Sequence, residues 1–154
     1  MEEYIQDIIK NILTALDANF GHIQIDLDQN MDNEEEYYCN IETKEASILI
    51  GKNGQNMIAI QHLVKLFLLK RTGKSVNLTL DFDGYRIKQK ESVIGMTDRH
   101  ASKVLETGKL QALTAMSPYM RRIVHLHIAT NYPTLATESK GFGDYRHIVL
   151  KKSV

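Results

Sequence analysis

Ile50-Gly51-Lys52-Asn53-Gly54 places two glycines three apart around two polar residues. That composition suits a tight turn open to close approach, because Gly tolerates positive φ and carries no Cβ. After it Met57, Ile58, Ile60, Val64, Phe67 and Leu68 recur at three- and four-residue spacing, so the turn leads into a helix. A helix N-terminus exposes unpaired N–H groups and the positive end of its dipole, a natural seat for an anion. Lys52 adds a mobile positive charge there. A bare G-x-x-G also starts many helices that bind nothing, so its meaning rests on the surrounding chain.

Upstream, Ile5, Ile8, Ile9, Ile12, Leu13 and Leu16 form an apolar stripe that predicts a helix over about 2–18. Ile23, Ile25 and Leu27 alternate with polar residues, as do Tyr37, Cys39 and Ile41 across a polar, acidic turn at Asn30 to Glu36. This reads as a hairpin. Ala46 to Ile50 predicts one or two helical turns. The main helix is expected from Gln55 to Arg71, stopped at Thr72-Gly73, and Val76, Leu78, Leu80 and Phe82 alternate as a third strand. Residues 1–83 therefore read as a small α+β sandwich with helices on one face of three strands.

Residues 84–154 form a second α+β region. The spacing predicts a helix over Tyr85 to Glu106, with Val93, Thr97, Ala101 and Val104 inward, and a short strand at Leu110 to Leu113. Ser117-Pro118 is a helix start, with Ser at the cap and Pro at the first position, and the helix runs to about Ala129. Thr134 to Ser139, Lys140-Gly141-Phe142-Gly143 and Tyr145 to Lys151 read as strand, turn and strand. No Pro/Ser-rich linker intervenes, so a stiff joint through the 85–106 helix is expected.

The 154 residues, 43% hydrophobic and 25% charged, describe a globular chain. Its apolar runs fall far short of the about 20 residues a membrane span needs. The acidic start Met1-Glu2-Glu3 shows no secretory signal, and a cytoplasmic location is expected. Cys39 is the single cysteine, which excludes an internal disulfide and fits a buried small hydrophobe. Net charge is zero, but unevenly spread: residues 1–50 hold 12 acids against two bases, and residues 51–154 hold 17 bases against seven acids. Such asymmetry points to a polyanionic partner.

Arg121 and His125 lie four apart on one helix face. There a guanidinium fork and an imidazole N–H can grip a phosphate, or both can be structural, with the His hydrogen-bonded beneath the hairpin. His125 and His127 point in different directions and lack a third ligand, so no metal is expected. Gly73-Lys74-Ser75 resembles the end of a P-loop, but Leu68 stands where its first Gly belongs. Asp81 and Asp83 read as turn residues closing a strand. No nucleophile motif is present, so neither catalysis nor a cofactor is expected; a hydrolase using His125 or His127 is the remote alternative.

Leu49 to Gln55 with Ala59 to Val64, then Asp83 to Arg86, then Met116 to Leu126 followed by Thr137-Glu138-Ser139 and Tyr145-Arg146, resemble the Jag (KhpB) family of bacterial RNA-binding proteins. These pair a KH domain with an Arg-x-x-x-His domain. The resemblance covers about residues 40 to 150 and implies a type II KH-like sandwich followed by the second domain, without the N-terminal Jag extension of many relatives. It implies binding of single-stranded RNA, with single-stranded DNA as an alternative ligand, in a post-transcriptional regulator or RNA chaperone. By position, Gly51, Lys52, Asn53 and Gly54 are the backbone clamp, Ile50 and Ile58 line the base groove, and Arg121, His125 and the adjoining Arg122 contact phosphate. Met120 and Lys140 stand where acids are common in the family. The alternative is a protein–protein adaptor pairing with a smaller KH protein.

Overall fold

The apolar stripe near the N-terminus folds as helix α1, Glu2–Ala15, burying Ile5, Ile8, Ile9, Ile12 and Leu13. It ends three residues before the expected stop because Asp17 turns left-handed at φ 54. The Ala18 and Asp17 amides then return to the Leu13 and Thr14 carbonyls, a closure that satisfies the last carbonyls and stops the helix. The computed structural model describes residues 1–30 and 32–154; Met31, within the expected acidic turn, lies outside the described residues.

Strands β1, Ile23–Gln29, and β2, Glu35–Ile41, pair antiparallel, with Ile25 opposite Cys39. Helix α2, Ala46–Ile50, and helix α3, Gln55–Thr72, then cross over to β3, Leu78–Phe82, which pairs parallel to β2. The Gly51–Gly54 turn thus lies inside a β–α–α–β crossover. Cys39, Ile41, Leu78, Leu80 and Phe82 meet the buried residues of α1 and α3 in one core. Gln61 on α3 accepts the Leu80 amide at 2.9 Å, tying the helix to β3. Asp81 is no turn residue: it is fully buried and accepts a 2.6 Å hydrogen bond from Tyr38. Burial, with Asp26 as a lesser cause, pushes the Cys39 thiol up to about 12, which leaves it protonated.

The chain divides into two compact units, Met1–Tyr85 and Arg86–Val154. The second contains nearly all of α4, Tyr85–Thr107, with α5, Pro118–Asn131, and a sheet ordered β4-β6-β5. Its strands are β4, Gln111–Ala112, β5, Leu135–Lys140, and β6, His147–Lys152, with both pairings antiparallel. Ala101 and Val104 of α4 pack with Val124, Ile128, Leu135, Ile148 and Leu150. The Ser117 hydroxyl caps α5 by accepting the Met120 amide at 3.3 Å, with Pro118 at the first position. Among the described residues no helix is long and apolar enough to cross a membrane. Replacing the fully buried Phe82 by Ala is expected to cost about 3–5 kcal/mol, read as a lower urea midpoint.

Candidate nucleic-acid interface

The Gly51–Gly54 turn passes through left-handed backbone three times, at Gly51 (φ 70), Asn53 (φ 53) and Gly54 (φ 78). At Gly51 ψ is −175, a region essentially reserved for Gly. A Cβ there would lie 2.5 Å from the Asn56 Cγ. Asn56 needs that space: its amide donates to the Ile48 carbonyl at 2.8 Å, binding the first turn of α3 to α2. Lys52 and Asn53 are exposed while Gly54 is buried. No side chain caps the start of α3; within the turn the Gly54 and Gln55 amides donate to the Gly51 and Lys52 carbonyls. The amides that follow in the first helical turn can accept an anion.

The two apolar residues expected beside the turn divide. Ile58 is 50% exposed, but Ile50 is 8% exposed and belongs to the core. The last turn of α2 rotates Leu49 and Ile50 inward and leaves Ile48, at 70% exposure, outward. Alternation along five residues does not fix which side a short helix buries.

In the second unit α5 presents Arg121 and His125 to β5 and to the segment before the helix. Arg121 Nη1 donates to the Met116 carbonyl at 2.7 Å. That uses one of five guanidinium N–H groups. His125 meets hydroxyls through both ring nitrogens, Nδ1 with Thr137 at 2.5 Å and Nε2 with Ser139 at 3.1 Å. Burial, and secondarily the Arg121 charge, lowers its pKa below the usual imidazole range. At neutral pH it is therefore uncharged, and it reaches an external phosphate only where one hydroxyl yields. Arg122 is exposed beside them.

His127 faces another way. It hydrogen-bonds Asp98 on α4 at 2.7 Å, and the Tyr132 hydroxyl donates to the same carboxylate oxygen at 2.9 Å. Among the described residues no three His, Cys, Asp or Glu side chains gather as a metal set. Sequence reasoning passed over Phe142 and Tyr145, which stand in solvent at 89% and 83% exposure between β5 and β6. The available signal was two aromatics inside a glycine-rich turn.

Residues 6–80 match the KhpA/KhpB KH domain model, and residues 91–152 match the R-3-H (Arg-x-x-x-His) domain model. The RNA-binding protein KhpB of Clostridium symbiosum is 31% identical over 150 residues, covering 97% of this chain and 67% of that protein. The chain belongs to the KhpB family. The Bacillus subtilis KhpB is 35% identical over 109 residues, 70% of this chain and 52% of the relative. The Lactiplantibacillus plantarum KhpB is 28% identical over 150 residues, 96% of this chain and 42% of the relative. This KhpB-family chain thus spans from under half to two thirds of the length of these relatives.

Gly51→Ala is expected to cost ~1–3 kcal/mol, because both the backbone region and the Asn56 side chain oppose it, measured by chemical denaturation. The lowered His125 pKa makes the folded second unit bind fewer protons than the unfolded chain. Its stabilising effect is complete above the unfolded value of about 6.5 and declines as pH falls from there through the folded value. Denaturation of wild type and His125→Gln between neutral pH and moderate acid checks this: the variant should show the flatter profile.

Proposed function

We propose that this chain is a non-catalytic RNA-binding protein of the cytoplasm, a post-transcriptional regulator or RNA chaperone that holds single-stranded RNA. The observation carrying the reading is the exposed Lys52-Asn53 tip on a turn whose following helix amides have no side-chain cap. In this reading those amides and Lys52 clamp the RNA backbone, as the G-x-x-G loop of a KH domain does. Gly51 and Gly54 give the clamp its shape, and Ile58 offers an apolar contact to bases. Ile50 supports the clamp from within the core. Arg121 and Arg122 supply charge to a second phosphate contact, and His125 sets the geometry of Arg121's helix against β5. The names of the relatives, RNA-binding protein KhpB, support the ligand class.

The adaptor reading has its own support within the first unit. Helix α3 exposes Leu63, Leu66, Phe67 and Leu69. A groove beside them is lined by Ile8, Ile12, Ala15 and Phe67. Phe67, one of the apolar residues recurring along α3, lies on this outer side because the buried row is Met57, Ile60, Val64 and Leu68. A smaller KH-domain protein is the proposed occupant, and it leaves the clamp free for RNA. A complex with such a protein that survives nuclease treatment in size measurements would support it.

Lys52→Asp/Asn53→Asp in the intact chain is expected to weaken binding of short single-stranded RNA by about 10- to 100-fold, the scale of lost charge-assisted hydrogen bonds, with the fold retained. Wild-type affinity should also fall steeply with salt as counterions are released. Filter binding or fluorescence anisotropy at two salt concentrations reads both effects. Unaltered affinity in the double variant rejects the clamp.

A further inference from the structure

The turn Lys140 to Arg146 holds Phe142 and Tyr145 almost wholly in water. Two aromatic rings exposed within one seven-residue turn offer a local apolar contact surface. The backbone beneath the rings is tied at several points. The Tyr145 and Arg146 amides donate to the Phe142 and Gly143 carbonyls at 3.1 and 3.2 Å, and Arg146 Nη1 donates to the Gly141 carbonyl at 2.9 Å. Gly141 sits at φ +85, and a Cβ there would lie 3.0 Å from the Tyr145 carbonyl oxygen. The rings are therefore presented by a closed turn, not by slack chain.

That turn is joined to the Arg121–His125 pair from both sides. The Met116 amide donates to the Arg146 carbonyl at 3.2 Å, and the Met116 carbonyl accepts from Arg121. On the other side, Lys140 follows Ser139, whose hydroxyl meets His125. Lys140 and Arg146 flank the rings, with Asp144 the one acid in the turn. Aromatic faces among cations, next to phosphate donors, suit unpaired bases: every base has a π-face, and a single strand leaves it available. The charge argues against an apolar protein surface as the occupant.

We infer that Phe142 and Tyr145 form a stacking platform for unpaired bases of the single-stranded RNA whose phosphate is held at Arg121. This rests on the RNA-binding reading above and adds a base contact to its second unit. The test compares an RNA of roughly 12 nucleotides, within the span such platforms cover, with an abasic oligonucleotide of equal length and backbone charge. Both are titrated by anisotropy into the full chain and its Phe142→Ala/Tyr145→Ala variant. Wild type should prefer the base-bearing strand, and each lost ring should weaken that binding roughly 5- to 150-fold. Abasic binding and the salt dependence should not change. Phe142→Tyr, which keeps a ring, should retain affinity.

An alanine variant within twofold of wild type on the base-bearing strand overturns the platform while leaving RNA binding intact. Equal losses on both oligonucleotides also overturn it, since they would reflect a damaged turn. A wild-type chain that binds neither strand overturns the platform and the RNA reading together.

Discussion

Helix α3 can begin where it does only because the chain crosses left-handed backbone at Gly51, Asn53 and Gly54 in quick succession. A β-carbon at Gly51 would displace Asn56, and Asn56 is what satisfies the Ile48 carbonyl at the end of α2. The two helices are therefore fastened by a side chain reaching back, not by a cap reaching forward. No side chain caps α3 at Gly54, whose φ of 78 lies outside the extended backbone that a Ser or Asp cap adopts. The helix draws its stability instead from burying Met57, Ile60, Val64 and Leu68 against the sheet.

Much of this arrangement is legible in residue spacing. The two-residue alternation of Tyr37, Cys39 and Ile41 and of Leu78, Leu80 and Phe82 places those side chains on one sheet face, and the Ser117-Pro118 pair marks the start of α5. Spacing fails where apolar residues surround an element. Around α3 they occur on nearly every side, so Phe67 and Ile58 look equivalent to Val64 although only Val64 is buried. It fails again for polar residues whose partners are distant in sequence. Nothing near Asp81 signals that Tyr38 will cover it, and although a His125 hydrogen-bonded beneath the hairpin is one reading of the sequence, nothing there signals that Thr137 and Ser139 engage both ring nitrogens.

The electrostatic asymmetry sharpens once the units are separated. Met1–Tyr85 carries seven basic and 14 acidic residues, and Arg86–Val154 carries 12 basic and five acidic. Long-range attraction of a polyanion thus falls to the second unit. In the first, screening over about 8 Å at physiological salt makes local charge decisive, so Lys52 and the helix terminus act against a net negative background. On β1 and β2, Asp26, Asp28 and Glu36 occupy strand positions that alternate with the core-facing residues.

The two proposed contacts accordingly divide the work by chemistry. Main-chain amides in the first turn of α3 have fixed direction and no formal charge, so they select geometry and release few counterions. The guanidiniums on α5 are charged at every physiological pH, so they supply the attraction and most of the salt sensitivity. His125 belongs to neither class. With both nitrogens engaged by hydroxyls and its pKa lowered chiefly by burial, it gives up charge for position. What it positions is the packing of α5 on β5, and through Ser139 the start of the turn that carries Phe142 and Tyr145. A protonated imidazole would repel Arg121 from the same helix face; the neutral one lets the guanidinium keep its place at the Met116 carbonyl.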